Sequence, residues 1–150
     1  MKRAMSRSSI IISQPKDLIA RWVQAKQDLE NPWEHKYSTI GYYDTKVQKL
    51  KAAVVFDRFT RGEEDNYQDC CLHVAGEGLW ATKEFLHAVF DYCFNQCGCV
   101  RVTGLVASTN TKARHFDEHI GFVYEATLKK ALPSDDVIVY RMFREDCRWI

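Results

Sequence analysis

Asn110 to Tyr124 reads N-T-K-A-R-H-F-D-E-H-I-G-F-V-Y, and the order of elements in it decides the fold. Asparagine is a favoured helix N-cap, because its side-chain oxygen accepts from a free N–H of the first turn. Ala113, Phe116, Glu118 and Ile120 follow at helical spacing, and Gly121 stands where a left-handed residue would end the helix. Just upstream, Val100 to Ala107 alternates as a strand does and ends in Ser108 and Thr109. Downstream, Phe122, Tyr124, Ala126 and Leu128 alternate again. The stretch is a strand, an asparagine-led helix, a glycine stop and another strand.

On its N-terminal side lies the strongest helical pattern in the chain. Phe85, Leu86, Val89, Phe90, Cys93 and Phe94 recur at three and four, after Gly76-Glu77-Gly78 and before Gly98. Three strands precede it: Tyr37 to Tyr43, Leu50 to Phe59 and Tyr67 to Ala75. The polar turns Asp44 to Lys46 and Arg61 to Asn66 join them, so an antiparallel meander is expected. Ser8 to Ser13 reads as a first strand. A helix then starts at Ser13 and Pro15, shows Leu18, Ile19, Trp22, Val23 and Leu29 as its apolar face, and ends at Asn31-Pro32. Beyond the opening stretch, Pro133 to Asp135 turns into a last strand, Val137 to Phe143, and the tail from Cys147 to Ile150 is expected to pack on a sheet edge. The class is α/β (α+β), with a mixed, mainly antiparallel sheet of six to seven strands.

A chain of 150 residues with 46% hydrophobic content suits one domain with a sizeable core. Its 21 basic and 20 acidic residues argue against a nucleic-acid binder, which is usually more basic. The only apolar run near the basic start at Lys2, Arg3 and Arg7 is Ile10 to Ile12, too short for a signal peptide or a membrane span. A soluble, cytoplasmic protein with reduced cysteines is expected, and small apolar packing accounts for most of the six.

With Asn110, Ala113, Gly121-Phe122, Tyr124-Glu125 and Asp136 before a V-I-V-Y strand, the chain resembles the GNAT superfamily of acetyl-coenzyme A-dependent N-acetyltransferases. It looks most like the short GNAT-like proteins of bacteriophages, which would place it in a host cytoplasm or on a virion. The resemblance implies a twisted sheet with helices on both faces. It also implies acetyl-CoA as co-substrate, lying where the strand Tyr67 to Ala75 splays from the strand Val100 to Ala107. On that pattern Leu72, His73, Val74 and Ala113 are cofactor-binding, and Asn110 lies beside the pantetheine arm.

Coenzyme A carries a pyrophosphate, and a glycine loop feeding a helix start suits an anion. Gly76, Gly78, Trp80, Ala81, Thr82 and Lys83 occupy that place, with Arg114 and Lys112 as further cations in reach. The loop departs from the family pattern. No arginine precedes it, Glu77 adds a negative charge, and Trp80-Ala81 stand near an expected glycine. A tight turn that uses glycine for positive φ is the plain alternative.

Transfer to an amine needs a base, because an ammonium of pKa about 10.4 is not a nucleophile. His73, late on its strand, is the candidate, and Asp69 has the same parity. An ordinary strand histidine with a satisfied hydrogen bond is the other reading of His73. The family's tyrosine acid falls seven residues after the asparagine, where this chain has Asp117. An aspartate there is expected to be a solvated, ionised helix residue, which leaves Tyr124 or Tyr140 as the acid, or a thiolate that departs unaided.

His115 and His119 share a helix face, but neither an H-E-x-x-H motif nor paired C-x-x-C motifs are present, so no metal site is expected. His87 reads as a surface residue, and His35 as a loop residue lining an acceptor cleft. The short Glu30 to Lys36 segment suits an open cleft and a bulky acceptor such as a protein. Protein lysine, N-terminus, polyamine, aminoglycoside and nucleotide amines all stay open, as does the oligomeric state. The expected activity is acetyl transfer to a primary amine by direct attack in a ternary complex. A GNAT-fold binding or virion protein without catalysis is the second reading, and a small zinc-binding module the third.

Overall fold

The computed structural model describes residues 8–27, 33 and 36–150. The expectations for Lys2, Arg3, Arg7, Leu29, the Asn31-Pro32 stop, His35 and most of the 30–36 segment lie outside the described residues. Seven strands form one sheet in the order β1-β2-β3-β4-β5-β7-β6. They are β1 (Ser9–Ile12), β2 (Ser38–Asp44), β3 (Lys49–Arg61), β4 (Tyr67–Gly76), β5 (Arg101–Ala107), β6 (Val123–Leu132) and β7 (Asp135–Phe143). The first four strands run antiparallel, and β2, β3 and β4 follow one another through short connections, as the polar turns predict. Strand β5 pairs β4 in parallel, and β7 then inserts between β5 and β6.

Strand alternation sends odd and even residues to opposite faces, and the two faces carry separate cores. Ala52, Val54 and Phe56 of β3, Leu72 of β4 and Val102 of β5 join Phe85, Phe90, Phe94, Phe122 and Tyr140 in the larger one. Helices α2 (Lys83–Phe90) and α3 (Thr111–Ile120) cover that face. Phe56, Phe85, Phe94 and Tyr140 are fully buried. Each such side chain contributes about 1.5–3 kcal/mol.

Helix α1 (Lys16–Lys26) covers the opposite face, burying Ile19, Ala20 and Val23 against Ala53, Val55 and Ala75. Leu18 does not belong to that stripe. It is 59% exposed, one helical step of 100° out of line with Ile19 and Val23. The helix that begins as α2 continues as a π-helical segment, Asp91–Gln96, whose wider turn keeps Cys93 and Phe94 buried. Five of the six cysteines are buried, in keeping with their packing role.

The opening stretch forms as its residues dictate. Asn110 Oδ1 accepts from Ala113 N at 3.2 Å, and Gly121 ends α3 at φ 117°, a left-handed value that favours glycine. The tail differs from expectation. Trp149 Nε1 donates to Ile120 O at 2.8 Å and Arg148 donates to His119 O, so the tail caps the C-terminus of α3 instead of a sheet edge. The carbonyls of the last helical turn lack intrahelical donors, and these side chains supply them.

Candidate active site

The parallel ladder between β4 and β5 is very short. Its paired residues are Cys71 with Thr103 and Leu72 with Gly104, after which the strands part. Gln68 O accepts from Val100 N at 3.1 Å, so even residues of β4 turn their backbone toward β5. Val74 follows that alternation but lies past the last pair. Its carbonyl accepts instead from Gln27 Nε2 of the α1 C-terminus at 2.8 Å, and its N–H turns to the same gap. A free amide pointing into a gap between strands is a ready donor to a developing oxyanion.

His73 lies beside this gap on the α1 face. Its Nε2 is 2.7 Å from Asp57 Oδ1, and the two side chains are 17% and 4% exposed. A carboxylate oxygen only accepts, so Nε2 is the donor, and in the neutral ring Nδ1 is then the nitrogen with the lone pair. The Trp33 ring packs on the imidazole at 4.6 Å between centroids. Asp57 escaped the sequence reading, although a charge closing the apolar run A-A-V-V-F-D of β3 was a visible signal. Strand register makes the pair: His73 is opposite Val55 and Cys71 opposite Asp57, so His73 and Asp57 are diagonal neighbours on one face.

Asp69 shares that face, as its parity requires, but its partners are others. Both its oxygens accept from Thr103 Oγ1 at 3.0 Å, and Arg101 Nε lies 3.6 Å away. Burial raises its carboxyl above the usual range, against the lowering effect of Thr103 and Arg101. Arg101 also holds Glu125 through two hydrogen bonds of 3.2 and 2.8 Å.

Of the residues predicted for the cofactor, His73 faces α1, whereas Leu72, Val74, Trp80 and Ala113 lie on the α2/α3 face. Gly78 has φ 63°, as the turn reading requires, but Gly76 has another reason to be glycine. A Cβ there would meet the Trp80 indole at 2.3 Å, because that ring lies flat on the Gly76 backbone. The indole also packs against Phe116 of α3, 4.8 Å between centroids. Val74, Phe85, Phe116 and Phe122 close the space beneath, which encloses a cavity of about 10 Å³.

Thr82 is the α2 N-cap. It accepts from Phe85 N at 3.2 Å and donates to Tyr42 Oη at 3.3 Å, so its hydroxyl is engaged within the fold. Ala81 precedes it in the loop. Glu77 pairs with Lys26, which offsets its charge. Lys83 and Lys112 lie in the first turns of α2 and α3 without a carboxylate partner among the described residues. Arg114 is tied inward: Nε donates to Tyr140 Oη at 3.2 Å and Nη1 to Ser108 O at 3.1 Å.

The two candidate tyrosines lie away from His73, on the other side of the sheet. Tyr140 is fully buried and donates to Glu118 Oε1 at 2.9 Å while accepting from Arg114. Burial holds its phenol above the usual tyrosine range. Tyr124 is 51% exposed, its Oη 2.7 Å from Thr127 Oγ1.

Asp117 is not the solvated helix residue that its sequence position suggested. A Cβ built on Gly104 would lie 3.5 Å from its Oδ2, so the carboxyl lies against β5 at the last paired residue before the gap. Burial there, reinforced by Glu118, pushes its pKa up to about 7.

No protein-family model matches the chain, and no curated protein matches it. Solved structures do. Mutant forms of the spermidine/spermine N-acetyltransferase of Vibrio cholerae superpose with a TM-score of 0.74 at 13% identity, over 93% of this chain and 96% of theirs. The spermidine N-acetyltransferase of Vibrio cholerae in complex with CoA and spermine gives 0.72 at 14%, over 94% and 98%. The ribosomal-protein-S5-alanine acetyltransferase of Vibrio fischeri gives 0.69 at 14%, over 98% of both chains. The fold is that of the GNAT N-acetyltransferases.

Proposed function

We propose that this chain transfers an acetyl group from acetyl-CoA to a primary amine within a ternary complex. The observation that carries the reading is the gap past Leu72 and Gly104, with polar groups placed on both of its sides. On the α1 face, His73 Nδ1 takes the proton of the amine while Asp57 holds the ring and offsets the charge that develops. In the gap, the Val74 N–H stabilises the tetrahedral oxyanion. On the opposite face, the N-termini of α2 and α3, with Lys83 and Lys112, meet the pyrophosphate. Asn110 and Ala113 flank the pantetheine arm at the start of α3.

Similar structures are named for spermine and for an alanine of a ribosomal protein, and a panel of polyamines and peptides is the natural test. Calorimetry with acetyl-CoA should show binding, and thiol release should follow when an accepted amine is added. An absence of binding at millimolar acetyl-CoA would overturn the reading.

A non-catalytic binding protein on the same fold is favoured by one feature, the Trp80 indole lodged between Gly76 and Phe116. Cofactor binding without thiol release on any amine would support that alternative.

A further inference from the structure

A second concave region lies away from the gap. It is a cleft of about 560 Å³ between the end of β1, the start of β2 and the flank of the helix that begins as α2 and continues as the π-helical segment. Strands β3 and β4 stand between β2 and the gap, and none of His73, Val74 or Asp57 lines the cleft. Its size is that of a small-molecule site, roughly 300–1,000 Å³. Ile40 of β2 and Ile11 of β1 form its apolar wall, because Ile11 pairs with Tyr42 and so turns to the α2 side. Ile11 is 39% exposed, so this wall is open to a ligand.

The polar wall is built by the change of helix type. An α-helix puts residues three and four apart on one face, whereas the i to i+5 pattern of a π-helix brings the fifth there as well. Asn95 and Gln96 therefore both reach back to Asp91: Asn95 Nδ2 donates to Oδ1 at 2.8 Å and Gln96 Nε2 to Oδ2 at 3.1 Å. These donors are neutral, so they orient the carboxylate without cancelling its charge, and each oxygen keeps accepting capacity. The other ionisable groups of the cleft are turned to other partners. Lys16 Nζ donates to Tyr37 O at 3.4 Å and lies over the Tyr37 ring, and His87 Nδ1 donates to Trp149 O at 2.7 Å. Tyr92 Oη donates to Ser38 Oγ at 2.7 Å, which fixes the phenol against β2. π-Helical turns are rare and concentrate at functional sites, and this one lines the cleft with Asp91, Tyr92 and Gln96.

We propose that this cleft binds a small organic cation, an ammonium group carried on an apolar body, at a site separate from the gap. The ammonium meets the Asp91 carboxylate, and the body lies on Ile11 and Ile40. A neutral molecule of the same shape gains only the apolar contact, and an anion is repelled by Asp91. The inference needs neither acetyl-CoA nor His73, so it stands apart from the acetyl-transfer reading.

Phenethylamine is the probe, with phenethyl alcohol and hydrocinnamate as its neutral and anionic counterparts. In the full chain with labelled isoleucine methyls, titration with the amine should shift the Ile11 and Ile40 signals in the NMR spectrum. Those of Ile120 and Ile138, elsewhere in the larger core, should stay in place. The amine should bind about tenfold or more tightly than the alcohol, hydrocinnamate should bind more weakly than either, and Asp91→Asn should remove the amine's advantage. Ala88→Phe fills the cleft and should abolish binding of the amine, and it serves if Asp91→Asn does not fold. His73→Ala should leave the amine's affinity unchanged. An absence of shifts at Ile11 and Ile40, equal affinity for amine and alcohol, or parent-like binding by Asp91→Asn or Ala88→Phe would overturn the proposal. Binding lost with His73→Ala would also overturn it, because the amine would then occupy the gap. Acetyl-CoA calorimetry decides the acetyl-transfer reading independently of all these outcomes.

Discussion

His73 Nε2 and Asp57 Oδ1, 2.7 Å apart, join β4 to β3 through side chains on a face where Asp57 is 4% exposed. The contact fixes which ring nitrogen is free, and it satisfies a carboxyl that water scarcely reaches. On the proposed function, chemistry and stability are therefore coupled at this pair.

His73→Ala should separate the two effects. It leaves the Asp57 carboxyl buried without its imidazole, a loss of about 1–3 kcal/mol in urea denaturation. Turnover should fall about a hundredfold while acetyl-CoA affinity holds. Asp57→Asn keeps the volume but no longer stabilises an imidazolium, and should lower kcat by about tenfold or more. An unchanged rate in both variants would remove the pair from the mechanism.

Gly76 and Trp80 pack on each other beside the proposed cofactor site. Gly76→Ala places a methyl 2.3 Å from the indole, so the ring has to move. Tryptophan fluorescence and near-UV circular dichroism should both change. Trp80→Ala removes the ring altogether. It should tighten acetyl-CoA binding by about tenfold if the indole must be displaced, while the lost packing lowers stability by about 1–3 kcal/mol. Weaker binding would show instead that the indole is part of the binding surface.

Asp117 ties stability to pH. Its folded pKa is about 7. The unfolded value is about 3.9. The folded chain thus keeps a proton that the unfolded chain has lost between these limits, and stability declines as pH rises through the window. Asp117→Asn should match the parent at pH near 4 and exceed it at pH near 8, by about 1–2 kcal/mol given the carboxyl's partial exposure. Urea melts at both pH values read the difference, and parallel curves across the window would sink the assignment.

Asp135 works in the opposite direction. Hydrogen bonds from the Ser108 and Thr109 hydroxyls, then from backbone N–H groups, hold its carboxyl down at about 2. The stability it confers is present above the unfolded pKa of about 3.9 and is lost as pH falls toward 2. Asp135→Asn should flatten that part of the acid unfolding curve. The readout includes the approach to α3, because Ser108 and Thr109 lead into Asn110.

Much of this fold can be read along the chain, because its signals are local. Asn110 and Gly121 are capping residues whose effect depends on their nearest neighbours, and strand parity alone puts His73 and Asp69 on one face. The turn before α2 was also recognisable from Gly78. What escaped is set across strands and between layers. Asp57 meets His73 only through the β3–β4 register, and Trp80 explains Gly76 only once the loop has folded back. Asp117 changes character because α3 lays it on Gly104, and no periodicity records the dielectric that a side chain will meet.

The short β4–β5 ladder has a mechanical consequence. With two residue pairs between them, the first four strands and the last three are held together largely by side chains such as Phe56, Leu72, Val102 and Phe122. Dispersion contacts of this kind yield gradually to small displacements, whereas a ladder of peptide hydrogen bonds resists shear along its length. The width of the gap is thus a soft coordinate between two stiff half-sheets. A slight rotation about the Leu72–Gly104 pair would widen the gap toward Val74 and Val106 without breaking a strand. Such compliance would let the seam open for the slender arm that the proposed function places there.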